Sequence, residues 1–343
     1  MKNLTGKPQL MKQVNSSLIK KVIKEKGSAT RADIAARTNI SLTTIRSLIT
    51  ELINNEEIIS VGCDESSGGR KAERYVFNLN KYFSLSFCIG NKEIHYAVTD
   101  ITEKITESGS FPVRKNILSS VDNFMDNIIK KKNIKAVGIG VPGIVDNGNY
   151  LTASQDKSWK KLNIGEHIQK KYNIPVILEN DLNSIALGFS LNYIKEKNIS
   201  NIESLNIVYI HFTESCTGAG IISNGNLVHG KNNFAGELGF IPIDGEKSLD
   251  HILINNPDED VYINSIAKII SILYYVINPE FIVLGGTHFK SELFNQIIDK
   301  SKTYISSGLP EIIHIKDSQT DYFKGISHLS TELIFSDIKL VNK

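Results

Sequence analysis

The chain is poor in the residues that staple, anchor or repeat. Only three of its 343 residues are cysteine, Cys63, Cys88 and Cys216. They are scattered, odd in number and never spaced Cys-x-x-Cys, which argues against a disulfide framework or a thiolate metal site and leaves reduced, structural thiols. The eight histidines are dispersed without metal-ligand pairing, so no metal is expected. His211, His229 and His251 stand only as pocket-edge possibilities. No apolar run approaches the ~18 residues needed to span a bilayer, and the polar start has no signal-peptide core. A cytoplasmic protein without a membrane partner is expected. There is no low-complexity block and no short repeat of the solenoid kind.

What is present begins with a patterned head. Leu18, Ile19, Val22 and Ile23 recur at helical intervals up to Gly27, which suits a helix stop. A second helix starts near Thr30, turns Ile34 and Ala35 inward and breaks at Thr38-Asn39. Ser41 then stands where the cap of a third helix belongs. Ile45, Leu48, Ile49, Leu52 and Ile53 follow as one apolar stripe. Strands over 57–62 and 71–77 flank a Glu-Ser-Ser-Gly-Gly-Arg tip, where Gly68 and Gly69 permit tight geometry.

Helix order, cap, turn and hairpin together predict a winged helix-turn-helix whose third helix enters the major groove of double-stranded DNA. Candidate DNA contacts are Ser41, Thr43, Thr44, Arg46 and Ser47 at the start of that helix, Arg46 being the one most able to read guanine. Arg70 and Lys71 on the wing suit the minor groove or phosphates. The same elements also fit a small helical protein-interaction module with an ordinary charged hairpin. Charge favours DNA. Residues 1–80 hold thirteen Lys/Arg against eight Asp/Glu, whereas the remainder is mildly acidic, a contrast hidden in the net charge of +2.

With 41% hydrophobic residues the chain can build two or three domains. Beyond Lys81 the pattern reads as a three-stranded meander over 83–89, 93–100 and 104–113, a helix over 118–131 and a buried strand over 136–141 ended by Pro142-Gly143. A strand over 176–179 leads into a helix opening at Asp181. A second strand-rich set follows at 205–212, 218–223 and 226–228, then helical spacing over 263–277 and a strand over 281–284 with its Gly285-Gly286 turn. The order of meander and then α/β occurs twice, which predicts two lobes with a ligand cleft between them. The final helix, 322–335, is expected to pack back on the first lobe.

Five words now carry a resemblance: Gly138-Ile-Gly-Val-Pro-Gly143, Pro175-Val-Ile-Leu-Glu-Asn-Asp-Leu-Asn183, Thr217-Gly-Ala-Gly220, Ala235-Gly-Glu-Leu-Gly239 and Asn278-Pro-Glu-Phe-Ile-Val-Leu-Gly-Gly286. With them the chain resembles, over essentially its whole length, the ROK family of repressors and sugar kinases, and the xylose-type regulators are the nearest subgroup. The resemblance implies an α/β fold: an N-terminal winged helix-turn-helix, about 1–79, followed by a two-lobed actin-like (ribonuclease H-like, sugar-kinase-like) effector domain over 80–343. Lobe one would take about 80–190 plus the C-terminal helix, and lobe two about 191–322. It further implies that Asn180 and Asp181 hold sugar hydroxyls, Asp181 being the proton acceptor in kinase members, and that Glu237 is another sugar-contacting carboxylate. Taken as residues alone, Asp181 could equally be a helix N-cap and Glu237 an exposed loop acid.

Departures matter as much. Where kinase members carry an Asp-x-Gly-Gly-Thr phosphate loop, this chain has Cys88-Ile-Gly-Asn-Lys92, and Cys216 replaces a glycine of the second loop. Losing the first loop removes several kcal/mol of transition-state support, on the order of thousands-fold in rate. No kinase activity and no cofactor are therefore expected. Phe240 replaces a histidine and the family's cysteine-rich zinc module is absent, so no zinc is expected there. Phe240 could stack on a sugar or sit in the core, and Trp159, in a loop near the cleft, could pack or recognise. The function implied is a sugar-responsive, homodimeric DNA-binding repressor of carbohydrate genes. A sugar kinase with an accessory head, or a DNA-binding protein whose sugar pocket has decayed, are the competitors.

Overall fold

The computed structural model describes residues 8–63, 72–90, 92–146, 148–153, 159–197, 199 and 205–335. Its first eighty residues form helix α1 (Pro8–Lys26), strand β1 (Ala29–Thr30), helices α2 (Arg31–Thr38) and α3 (Leu42–Asn54), and strands β2 (Ile58–Cys63) and β3 (Glu73–Phe77). The three strands pair antiparallel in the order β1-β3-β2.

Local chemistry sets these boundaries. Thr30 Oγ1 accepts from the Asp33 N–H at 3.1 Å while Asp33 accepts from the Thr30 N–H at 2.9 Å, a capping box that starts α2. Asn39 ends α2 in the left-handed region at φ 58°. Ile19, Ile23, Ile34, Ile45, Ile49, Ile58 and Tyr75 are fully or almost fully buried in a shared core. Ile53, grouped with the α3 stripe by spacing, is 37% exposed. Eight residues along a helix rotate a side chain about 80° off the starting line, enough to carry it to the edge of the buried face.

Lobe one contains β4 (Phe83–Ile89), β5 (Glu93–Asp100), β6 (Ile105–Pro112), α4 (Ile117–Lys131), β7 (Ile134–Val141), a three-stranded side sheet of β8 (Ile144–Asp146), β9 (Asn149–Ala153) and β10 (Trp159–Leu162), then α5 (Ile164–Tyr172), β11 (Val176–Asn180) and α6 (Asp181–Lys197). Trp159 thus lies in a strand, not a loop. The main sheet runs β11-β7-β4-β5-β6, with β4, β5 and β6 antiparallel and β7 and β11 parallel to β4.

Lobe two repeats this plan with β12 (Ile207–Phe212), β13 (Thr217–Ser223), β14 (Asn226–Leu227), a small pair β15 (Pro242–Asp244) and β16 (Lys247–Ser248), α7 (Leu249–Ile254), α8 (Glu259–Ile277), β17 (Phe281–Gly285), α9 (Phe294–Tyr304), β18 (Glu311–Ile315) and α10 (Gln319–Phe335). Its sheet order, β14-β13-β12-β17-β18, mirrors that of lobe one. The doubled α/β order expected from the pattern is present in both sheets. Helix α8 is long and apolar enough to cross a membrane by length and composition alone; Ile266, Ile269, Ile270 and Leu273 bury it in the lobe-two core.

The closing helices are exchanged. Helix α6, which follows the last strand of lobe one, packs on β12 and β13 of lobe two; α10, which follows the last strand of lobe two, packs on β4, β7 and β11 of lobe one. The two helices meet backbone to backbone, since a Cβ on Gly188 would lie 1.8 Å from the Asp321 carbonyl oxygen and one on Gly325 1.9 Å from that of Ser184. No side chain larger than hydrogen fits either position.

Candidate functional site

In the head, Ser41 caps α3 by accepting from the Thr44 N–H at 3.2 Å, and its hydroxyl lies 2.9 Å from that of Thr44. Thr43, Arg46 and Ser47 are exposed on one side of α3, and Thr44 is half-buried. Leu42, at the tip of the same helix, is 59% exposed; it was not singled out from the sequence, where its helical phase, about 60° from Ile45, groups it with the stripe. Arg70 and Lys71 lie outside the described residues.

The basic excess of the head is largely spent internally. Lys12 pairs with Glu51, Lys20 with Glu57, Lys26 with Asp33, Arg31 with Glu73 and Arg37 with Glu25. Lys21, Lys24 and Arg74 also have a carboxylate within 4.0 Å. Among the described residues of the head, Arg46 is the one arginine or lysine without such a partner. The counting argument for a cationic head therefore narrows, in the described part, to the single side chain already picked out at the helix start.

In the body, β11 delivers Glu179 and Asn180 and α6 begins at Asp181, so a strand end runs directly into a helix start. Asn180 is the capping residue: its Oδ1 accepts from the N–H groups of Leu182 at 2.9 Å and Asn183 at 3.1 Å, and its Nδ2 donates to the Gly143 carbonyl at 3.1 Å. Its other amide proton is within reach of the Asp181 carboxylate and favours the charged form there. Asp181 accepts from the Leu182 N–H at 2.9 Å. Burial pushes its carboxyl up to about 7 against the pull of that N–H, and the neighbouring Glu237 carboxylate adds to the rise.

Glu237 is held in place by Gly236, at φ 92°, whose Cβ would lie 1.9 Å from the Ala219 carbonyl oxygen; the Ala219 N–H in turn donates to the Gly236 carbonyl at 2.8 Å. Burial and the nearby Asp250 raise the Glu237 carboxyl. Asp250, at the start of α7, is raised by burial although the Thr217 N–H donates to it at 2.8 Å. Its carboxylate covers Gly239, where a Cβ would meet Oδ2 at 1.9 Å. Three carboxyl groups thus gather around the start of β13. Asp250 was missed in the sequence because it sits in the stretch that departs from the resemblance, and an acid in a helix's first turn has an ordinary explanation.

Two contacts tie the lobes across the cleft. His229 of lobe two bonds Glu179 of lobe one at 2.8 Å, and that hydrogen bond raises the imidazole above its ordinary value. Asn233 donates to the Val145 carbonyl at 2.7 Å. His211 is lowered by burial, and His251 is exposed on α7. Phe240 is 69% exposed, which removes it from the core.

The two segments that would serve phosphates are occupied otherwise. Cys88 is a buried strand residue whose thiol burial pushes up, and β4 turns directly into β5 through a Gly90 N–H to Glu93 carbonyl bond of 3.0 Å. The loop before β13 folds on itself through Thr213, whose Oγ1 accepts from the Cys216 N–H at 3.1 Å. A cavity of about 460 Å³ opens beside this loop in lobe two, bordered by Thr213, Glu214, Thr217, His288 and Lys290.

Comparison with known proteins follows the same lines. The ROK family model matches residues 85–259. The xylose repressor of Bacillus subtilis (strain 168) is 29% identical over 243 residues, covering 68% of this chain and 62% of the repressor. The DNA-binding transcriptional dual regulator NagC of Escherichia coli (strain K12) is 24% identical over 255 residues, 70% of this chain and 60% of NagC. The chain therefore spans about three-fifths of the length of these relatives. Among solved structures, a ROK family transcriptional regulator described as a homologue of the E. coli MLC protein superimposes with a TM-score of 0.67 at 20% identity, over 95% of this chain and 97% of that one. A ROK hexokinase from Thermus thermophilus gives 0.56 at 16% identity, over 74% and 99%. The sugar-kinase-like α/β body and the family words at the cleft lead to one conclusion: this chain belongs to the ROK family.

Proposed function

We propose that the chain is a sugar-responsive, DNA-binding transcriptional repressor of carbohydrate uptake or catabolism genes, without kinase activity. The observation that carries this is the pairing, in one chain, of a three-helix head presenting an unpartnered Arg46 with a body whose cleft keeps Asp181 and Glu237 while a tight hairpin stands at the first phosphate-loop position. The head, about 1–79, is a winged helix-turn-helix; 80–343 is the effector body. Thr43, Arg46 and Ser47 face DNA, Leu42 suits a thymine methyl, and Ser41 and Thr44 orient the helix. Arg70 and Lys71 belong to the proposed wing.

In the cleft, Asp181 and Glu237 accept sugar hydroxyls and Asn180 fixes the helix start. Asp250 joins them, and exposed Phe240 offers a stacking face. The names of two relatives, the xylose repressor of Bacillus subtilis and the N-acetylglucosamine repressor of Escherichia coli O6:H1, favour xylose or N-acetylglucosamine as first effectors to try. A homodimer in the cytoplasm would set two heads on two half-sites.

The test is fluorescence anisotropy with DNA from upstream of the chain's own gene, at fixed salt, with and without pentoses, hexoses and amino sugars. Tight binding released by one sugar is expected; absence of specific DNA binding would sink the proposal. One observation favours the kinase alternative, a half-buried Asp181 raised to about 7, where a general base works best. ATP turnover above an Asp181→Asn control in a coupled assay would establish it.

A further inference from the structure

Helix α10 touches both regions the proposed function needs. In its first turn, Tyr322 lies across Gly140 of β7, where a Cβ would sit 2.3 Å from its ring. The Tyr322 hydroxyl is buried, has no hydrogen-bond partner among the described residues, and lies near Asp181 and Cys88. Ten residues on, about 15 Å along the axis, Glu332 holds Lys24 of α1 at 2.5 Å. Around that contact Glu103, in the β5–β6 turn, receives Lys324 at 2.6 Å, His328 at 2.9 Å and Lys24 at 3.4 Å. Phe335 closes the helix against Phe77 of the head, ring centroids 5.4 Å apart.

Between its two ends α10 rests on a bed unlike the other cores. Ser86 lies 3.0 Å from Ser327 and 3.4 Å from Ser330, and Ser84 lies 3.1 Å from Thr331 and 2.6 Å from Thr99, all buried hydroxyls. Gly138 lies under Ile326 and Ser330. Interlocked aliphatic side chains resist sliding because every shift opens voids. Hydroxyls both donate and accept and re-pair on rotation, and glycine leaves no knob to climb over. This is the interface of a helix able to shear by small steps.

We propose that α10 is the element that couples the cleft to the head: ligand engaging Tyr322 moves the helix along its hydroxyl bed, and Glu332, Glu103 and Phe335 carry the shift to α1. The inference rests on the sugar-responsive, DNA-binding reading above. The test locks the helix. In a Cys63→Ser/Cys216→Ser background, Ser86→Cys with Ser327→Cys places two thiols where hydroxyls now sit 3.0 Å apart, so a mild oxidant bonds α10 to β4 and dithiothreitol frees it.

DNA affinity is read by anisotropy with and without D-xylose, D-glucose and N-acetylglucosamine at millimolar concentration, and sugar binding by thermal shift. The expected result is sugar-induced loss of DNA affinity of about 5- to 150-fold in the unlocked protein, less than about twofold when oxidised, and recovery on reduction, with sugar binding kept throughout. Tyr322→Phe, which keeps the ring, is expected to cut the same release ratio by about fivefold while leaving sugar-free DNA binding within about twofold. Full release from the oxidised form, or from Tyr322→Phe, overturns the coupling role and leaves the proposed function intact. If none of the sugars binds or releases DNA from the unlocked protein, the sugar-responsive reading fails and the inference fails with it.

Discussion

Two carboxylates in this molecule are withdrawn from water and held in opposite states. At the cleft, Asp181 has other acids for neighbours and burial lifts it to about 7. At the joint between head and body, Glu103 is 8% exposed, and although burial opposes its charge, His328 and Lys324 beside it hold the carboxyl well below the usual range. The difference teaches what each is built for. A carboxyl kept near its titration point among like charges is costly to the fold, which suits the ligand-binding role proposed for it; one saturated by cations is structural. Perturbed acids gather at functional sites, but the direction of the shift separates the two uses.

The largest expected effect breaks the structural half of this contrast. Glu103→Gln leaves Lys24, Lys324 and His328 around an uncharged amide and should cost about 3–5 kcal/mol in chemical denaturation; a loss under 1 kcal/mol would place Glu103 with the ordinary surface acids. Asp181→Asn breaks the other half. Sugar affinity should fall by about 2–3 kcal/mol, as when a charged hydrogen-bond partner is removed, while stability holds or rises because a strained buried charge is gone. Unchanged sugar affinity would remove Asp181 from the site.

Acid–base titration of stability sharpens the same comparison. Glu103 is lowered on folding, so its contribution is full above about 4.5 and drains away as pH falls through the folded value. Asp181 is raised from 3.8 to about 7, so its protonation favours the fold below about 3.8 and that advantage is lost as pH rises to about 7. The wild-type minus Glu103→Gln difference should therefore shrink on acidification below about 4.5, whereas the wild-type minus Asp181→Asn difference should fall as pH rises from about 4 to 7, to zero or below. Parallel slopes would erase the distinction.

In the head, Arg46→Ala should weaken specific DNA binding by about 1–3 kcal/mol. Arg37→Ala, which removes an exposed residue already paired with Glu25, should change it by less than about 0.5 kcal/mol. Equal losses would mean that the head binds by diffuse charge. The smallest effect is expected from Phe240→Ser, within about 0.5 kcal/mol of wild-type stability for so exposed a ring, with any loss confined to sugar binding.

Much of the fold was legible because it is periodic. The α3 stripe, the Ser41 cap, the Asn39 break and the doubled sheet order all follow from local spacing and turn chemistry. Strand β18, Glu311–Ile315, escaped because its residues are exposed or half-buried at a sheet edge and carry no strong alternation. The side sheet β8–β10 escaped for want of length. At the site, Asn180, Asp181 and Glu237 were visible as words, whereas Asp250 and the Glu103 cluster were not. Lys24 and Glu103 are joined over 79 residues and Lys24 and Glu332 over 308, and no local pattern announces a partner that far away. Gly188 and Gly325 were open clues, since a glycine inside a helix is costly unless something must come close.

The exchanged closing helices bear on how the protein is made. Strand β4 leaves the ribosome early, yet the helix that covers one face of its sheet lies far later, the Ser84 to Thr331 contact spanning 247 residues. The first lobe must wait, the face of its sheet opposite α4 and α5 bare, until nearly the whole body has been synthesised, a topology of high contact order and slow closure. Chains interrupted before α10 would keep that face uncovered and be lost to aggregation or proteolysis. Only molecules that carry α10 would then persist, and quality control is written into the order in which the helices arrive.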